Sequence, residues 1–236
     1  MAAMNPSAAN RPSRKAVAGA FAIAIVVTVA LVVVAVIGRN DSSAPPATAT
    51  PVVDLSGIPQ DNRVLGRPNA AVTLIEYADP QCPACRAYTE SIFPTVVNDY
   101  VRPGKVETEF RGFPFIGEDS VKAYRFLLAA GLQNRLWNLQ EAMYRNQGGE
   151  NSGWVTDDLI RELAAQIPGL DVNRLFADAG STKIVQEADS AGAAAQAAGI
   201  QGTPTLLIKV GDEPPYVIEV ADAAQMRAAL DDALAG

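Results

Sequence analysis

Histidine is absent from all 236 residues of the chain. Its absence excludes catalytic schemes in which an imidazole activates serine or cysteine, and it excludes histidine-dependent metal sites. Cysteine is almost absent as well, because the sequence holds only Cys82 and Cys85. Two cysteines cannot fill the four ligand positions of a structural zinc site, so we expect no metal.

Basic residues are also few, with 19 Lys and Arg against 26 Asp and Glu and a formal net charge of −7. Four of them, Arg11, Arg14, Lys15 and Arg39, flank one apolar segment, so the rest of the chain is more acidic still. A nucleic-acid surface needs a basic face. The balance therefore predicts an acidic domain without a nucleic-acid partner.

Residues 16–38 form a long apolar run without charge. As a helix the run would be roughly 34 Å long, enough for a hydrocarbon core of about 30 Å. We predict a transmembrane signal-anchor of a single-pass cell-membrane protein. Basic residues concentrate in residues 1–15, so the positive-inside rule predicts a cytoplasmic tail and an extracytoplasmic domain. A cleaved secretory signal is the alternative, although its apolar region usually spans only about 7–15 residues.

Residues 39–63 are predicted to be a flexible tether and lead-in, because residues 39–51 are small, polar and contain three prolines. Residues 64–236 are predicted to form one α/β domain. Hydrophobic patterns there alternate between strand and helix periods. They predict strands at 72–77, 105–111, 205–210 and 216–220, a helix after Cys85 with a kink at Pro94, helices through about 116–200, and a last helix at 222–234 capped by Asp222.

Cys82-Pro83-Ala84-Cys85 follows the first of these strands and opens a helix. Pro83 suits the first helical turn, and Cys82 at the helix N-terminus is expected to have a stabilised thiolate. Cys85, one turn later, is expected to be more buried and within disulfide reach. This pattern predicts thiol–disulfide exchange at an exposed Cys82, with Cys85 as resolving thiol. A purely structural disulfide, which would constrain little at this spacing, and two reduced cysteines packed by chance are the alternatives.

A second motif, Gly202-Thr203-Pro204-Thr205, precedes a later strand. With it the sequence resembles the thioredoxin superfamily, and within it the DsbA-like thiol–disulfide oxidoreductases. The resemblance covers about residues 64–234 and implies a thioredoxin-like fold with a helical insertion at about 116–200. It rests further on Leu65-Gly66, residues 72–77, Asp79-Pro80-Gln81 before Cys82, and Phe110-Arg111-Gly112-Phe113-Pro114.

The resemblance also implies roles for particular residues. Pro204 would be a cis-proline against the dithiol, and Thr203 would offer backbone hydrogen bonds to an extended client, beside Pro83 and Ala84. Glu76 would be a buried acid with a raised pKa that exchanges a proton with Cys85. The alternatives are a trans-proline that starts an edge strand and a surface carboxylate at a strand end.

The function that follows is a disulfide-donating oxidase for exported proteins with free thiols, which needs no cofactor and is reoxidised by a membrane redox partner. The family's strongly oxidising members often have histidine between the cysteines, where this chain has Pro83-Ala84, so we expect a less oxidising dithiol. A reductase or isomerase of the same fold is the alternative, although residues 39–66 are too short for a separate dimerisation domain. A tethered chaperone-like module that binds extended chains is another.

Overall fold

The computed structural model describes residues 53–236. The predicted cytoplasmic tail, the membrane segment at 16–38 and the proline-containing part of the tether lie outside the described residues. Within residues 53–236, no helix is both long and apolar enough to cross a membrane.

One mixed sheet organises the described residues, with strands in the order β1-β2-β4-β3-β5-β6. β3 lies in its middle, parallel to β4 and antiparallel to β5, while β6 forms one edge. The bounds are β1 Gln60–Asp61, β2 Val64–Leu65, β3 Val72–Ala78, β4 Val106–Gly112, β5 Thr205–Val210 and β6 Tyr216–Ile218.

The two central strands differ in burial as their sequences predict. Nearly every residue of β3 is buried, which fits a strand with both faces covered. In β4, Val106, Thr108 and Phe110 are buried and alternate with partly exposed charged residues. The alternation confirms a strand whose second face is more exposed.

Helices pack around this sheet. The first is broken: α1 ends at Ser91, α2 begins at Phe93, and a π-helical turn continues from Val97 to Val101. Pro94 sits in the first turn of α2, where its missing N–H needs no partner, so the predicted kink is a new helix start. The bounds are α1 Pro83–Ser91, α2 Phe93–Val96, α3 Glu118–Gly131, α4 Leu136–Arg145, α5 Asp157–Ala165, α6 Val172–Ala179, α7 Thr182–Ala197 and α8 Ala223–Ala235.

The helical insertion contains a break between α3 and α4 that periodicity did not predict. Asn134 adopts a φ of 55°, and its Oδ1 accepts the Asn62 N–H at 3.1 Å. A Cβ on Gly131 would lie 2.7 Å from Asn62 Oδ1. The turn is thus a docking point for the loop between β1 and β2, and a contact across 72 positions leaves no local sequence signal.

Both ends of the described chain pack on the domain. Val53, Leu55 and Ile58, in the stretch predicted as tether and lead-in, are buried in the main hydrophobic core. At the other end, Asp222 Oδ1 accepts the N–H groups of Ala224 and Gln225, which confirms the predicted cap of α8.

Candidate active site

The dithiol lies where β3 gives way to α1. Cys82 is the N-cap of α1, and Pro83 occupies the first turn. The Cys85 N–H donates to Cys82 Sγ at 3.4 Å, and the Cys82 thiol donates to the Thr203 carbonyl at 3.3 Å. The N-terminus of α1 and the Gly202-Thr203-Pro204-Thr205 motif therefore both contact the sulfur of Cys82.

The two cysteines differ in access. Cys85 is fully buried, Cys82 is 7% exposed, and Pro83 and Ala84 between them are exposed. The expectation of an exposed Cys82 is thus wrong in degree, since that side chain is largely covered. The relative order holds, because Cys82 keeps some exposure whereas Cys85 has none.

The environments of the two sulfurs shift their pKa values in opposite directions. Hydrogen bonding by Cys85, helped by the backbone N–H groups of Cys85 and Ala84, lowers the pKa of Cys82 to about 6 against the opposing effect of burial. Burial raises the pKa of Cys85 well above its ordinary value, and the neighbouring Cys82 sulfur raises it further. At neutral pH the pair therefore consists of one thiolate and one thiol.

Thr203 and Pro204 approach the dithiol from the loop before β5. The Thr203–Pro204 peptide bond is cis, which confirms the expectation for Pro204. Both residues are partly buried, and the Thr203 carbonyl faces Cys82. The predicted substrate-contacting residues, Pro83, Ala84 and Thr203, thus surround the reactive sulfur.

Glu76 lies beneath this site on the central strand. Its side chain is 1% exposed, so the alternative of a surface carboxylate is wrong. Burial raises the pKa of Glu76 to about 8, and a hydrogen bond of 3.3 Å from Gln140 Nε2 to Glu76 Oε1 partly opposes that rise. A carboxyl of this kind can hold or release a proton near neutral pH.

This arrangement has a counterpart among known proteins. Residues 59–232 match the family model described as thioredoxin. The chain belongs to the thioredoxin family. Within that family it carries the DsbA-like form of the fold, with a helical insertion between β4 and β5.

Individual relatives agree with this assignment. The chain is 31% identical over 147 residues to the probable disulfide bond formation protein D of Bacillus cereus, a match that covers 61% of this chain and 68% of that protein. The crystal structure of oxidised BdbD from Bacillus subtilis superposes with a TM-score of 0.64 at 26% identity, covering 76% of this chain and 98% of that one. Wolbachia pipientis alpha-DsbA1 shares the fold, with a TM-score of 0.63 at 22% identity, covering 78% and 94% of the two chains.

Asp79 contributes a buried carboxylate whose importance the thioredoxin-family motif alone did not reveal. Its Oδ1 accepts the Ser120 hydroxyl at 2.6 Å and the Gln81 N–H at 2.8 Å. Its Oδ2 accepts the N–H groups of Phe115 and Ile116 at 2.9 and 3.1 Å. One carboxylate thereby fixes the loop before Cys82 to the segment that leads into α3.

A polar row formed by Gln140 and Tyr144 on α4, and by Gln147 just beyond its end, follows the chain from β3 to Cys82. Gln140 donates to Glu76, and the Tyr144 hydroxyl donates to the Asp79 carbonyl at 3.1 Å. Gln147 Nε2 lies 2.9 Å from the Pro80 carbonyl and 3.2 Å from the Cys82 carbonyl. Gln140 and Tyr144 have the four-residue spacing of one helix face, but the partners of the row cannot be predicted from the sequence.

An open groove of about 520 Å³ adjoins Pro204. Residues of α1 form one wall, and the stretch from Val217 to Ala221 forms the other. On the same edge strand, Tyr216 and Val217 are 49% and 59% exposed. Within residues 53–236, no three acidic or cysteine side chains cluster closely enough to hold a metal ion.

Proposed function

We propose that this chain is an extracytoplasmic thiol–disulfide oxidoreductase that donates its Cys82–Cys85 disulfide to exported proteins. The observation that carries the proposal is the asymmetry of the two sulfurs, with the pKa of Cys82 lowered to about 6 and that of Cys85 raised. A stabilised Cys82 thiolate favours the reduced form of the pair and so makes its disulfide a better oxidant. The similarity to proteins named disulfide bond formation protein D supports the same direction.

In the first step a client thiolate attacks Cys82 Sγ. The Cys82–Cys85 bond breaks, a client–Cys82 disulfide forms, and the electron pair leaves on Cys85. Because burial disfavours a thiolate at Cys85, that sulfur takes up a proton, and Glu76 is the nearby acid that supplies it.

In the second step a second client thiolate attacks the client sulfur of the mixed disulfide. The client disulfide forms, and Cys82 leaves as the thiolate that its surroundings stabilise. The client is oxidised by two electrons and the Cys82–Cys85 pair is reduced. A disulfide-bearing or quinone-linked membrane partner then reoxidises the pair.

Clients dock in the groove beside Pro204. An extended chain laid there can pair with the backbone of Thr203, whose carbonyl is freed once Cys82 no longer carries a thiol proton. Ala84, Ala87 and Val217 offer apolar contacts along the walls. Unfolded exported chains expose apolar side chains in extended form, and this lining suits them.

The anchor belongs to this proposal as well. Residues 16–38 hold the domain at the outer face of the cell membrane, which keeps the dithiol close to its reoxidising partner. Alkaline phosphatase fused after residue 236 is active only outside the cytoplasm, and resistance of the full chain to carbonate extraction reports membrane integration. Inactive fusions, or full release by carbonate, would contradict the anchored topology.

The reduction potential tests the direction of electron flow. The full chain is equilibrated with glutathione buffers, and the redox state of Cys82 and Cys85 is read by acid trapping with a thiol label. We expect a potential above thioredoxin's roughly −270 mV and below the roughly −120 mV of DsbA, because no histidine stands between the cysteines. A value at or below that of thioredoxin would argue for a reductase.

A further inference from the structure

Glu76 depends on a residue from outside the sheet. Its strand neighbours are Phe110 and Leu206, and Tyr88 of α1 and Gln140 of α4 approach it from the helices. Gln140 Nε2 reaches Oε1, and Oε2 has no hydrogen-bond partner in the described part of the chain. The α4 amide is therefore the donor that the structure provides for the charged form of this acid.

The other groups facing Glu76 do not favour its charge. Tyr88 approaches from α1 and Tyr144 from α4, and the charges of Glu76 and of Cys85 both contribute to the raised pKa values of these two tyrosines. Phe110 and Leu206, which pair with it across the sheet, are apolar. Against this background one buried hydrogen bond to a charged oxygen has a large effect.

We propose that Gln140 is a positioning residue for Glu76, and that through it α4 of the helical insertion sets the pH at which Cys85 can be deprotonated. The inference rests on the proposed role of Glu76 as the proton carrier for Cys85. It adds that a residue of the helical insertion controls the protonation of this acid.

The step concerned is closure of the disulfide during reoxidation. Cys82 is then joined to a partner sulfur, and Cys85 gives its proton to the Glu76 carboxylate. The Cys85 thiolate attacks Cys82 Sγ, the Cys82–Cys85 bond forms, and the partner leaves as a thiolate. Without the Gln140 amide the carboxylate is harder to form, so closure needs a higher pH.

Glutathione serves as the partner in the test. The full chain is trapped as the Cys82–glutathione mixed disulfide, and release of glutathione is followed over the neutral and alkaline range. Gln140→Met keeps the side-chain length but removes the donor. We expect its midpoint to rise by about one pH unit, the size of one hydrogen bond to a charged group.

A double-variant cycle separates this inference from the proposed function. If Gln140 acts through Glu76, Gln140→Met shifts the profile in the native background and adds nothing to Glu76→Gln. Equal shifts in both backgrounds, or none in the native one, would overturn the inference. A profile that Glu76→Gln leaves unchanged would instead remove the role of Glu76 itself.

Two controls keep the result interpretable if packing suffers. Gln133→Met alters another insertion glutamine, whose amide bonds the Asp171 backbone, and should leave the midpoint in place. Infrared difference spectra of the protonated Glu76 carboxyl measure its titration without exchange kinetics. In Gln140→Asn, where the amide is one methylene short, the same upward shift is expected, and an unshifted titration would count against the inference.

Discussion

Cys85 stabilises the thiolate of Cys82 by two hydrogen bonds. Its backbone nitrogen lies 3.4 Å from Cys82 Sγ, and its thiol is the largest influence that lowers the pKa of Cys82. Alkylation of Cys82 should therefore follow thiolate formation with a midpoint near pH 6. Cys85→Ala should raise that midpoint. Cys85→Ser, which keeps an O–H donor, should raise it less, and equal midpoints in the two variants would contradict this account.

The groove wall at Val217 should govern client binding without altering the dithiol. Val217→Asp places a charge in the apolar lining, so KM for a reduced unfolded client should rise several-fold while the reduction potential stays unchanged. Tyr216→Asp, at a neighbouring exposed position outside the groove lining, is the matched control. A KM that responds equally to both would place the client elsewhere.

Asp79 should be a large contributor to stability, because four donors converge on its buried carboxylate. Asp79→Asn turns one acceptor oxygen into an NH₂ group that cannot accept these donors. Urea unfolding should show a loss of about 2–3 kcal/mol. Asp119→Asn, where the carboxylate accepts the exposed Gly153 N–H, should cost about 0.5 kcal/mol or less. Similar losses would show that burial of the network does not matter.

Glu141 should make stability depend on pH. Burial raises its pKa from 4.5 to about 8 in the folded state. Between those values the unfolded chain releases the proton while the folded chain keeps it, so the free energy of unfolding falls as pH rises. The slope reaches about 1.4 kcal/mol per pH unit for one such group.

Glu141→Gln tests this dependence by urea unfolding at a series of pH values. The variant should unfold with a shallower pH dependence across the window from 4.5 to about 8. Glu76 titrates over the same window with the same sign, whereas Cys82, whose pKa is lowered to about 6, contributes a slope of opposite sign above that pH. An unchanged slope in Glu141→Gln would mean that this carboxyl is already ionised in the folded chain.

The sequence predicts those parts of the site that local chemistry specifies. Pro83 in the first turn of α1, the burial of Glu76 in a β-rich run and the start of β5 at Thr205 all follow from neighbours in the chain. The contacts between distant segments do not. Gln140 reaches Glu76 across 64 positions; its spacing from Trp137 and Met143 places it on the apolar face of α4, but that pattern does not identify Glu76 as its partner.

Strand β5 and its preceding loop reach Cys82 from 121 positions further along the chain. During synthesis, both cysteines are therefore incorporated well before Thr203 is added to the chain. The nine residues of α1 form only a marginal helix by themselves, so the helix N-terminus that lowers the pKa of Cys82 is missing. The thiols of the unfinished chain therefore keep an ordinary pKa of about 8.5. Before its last strands arrive, the newborn protein is therefore one more unfolded chain with two free thiols, the same kind of molecule that the finished one oxidises.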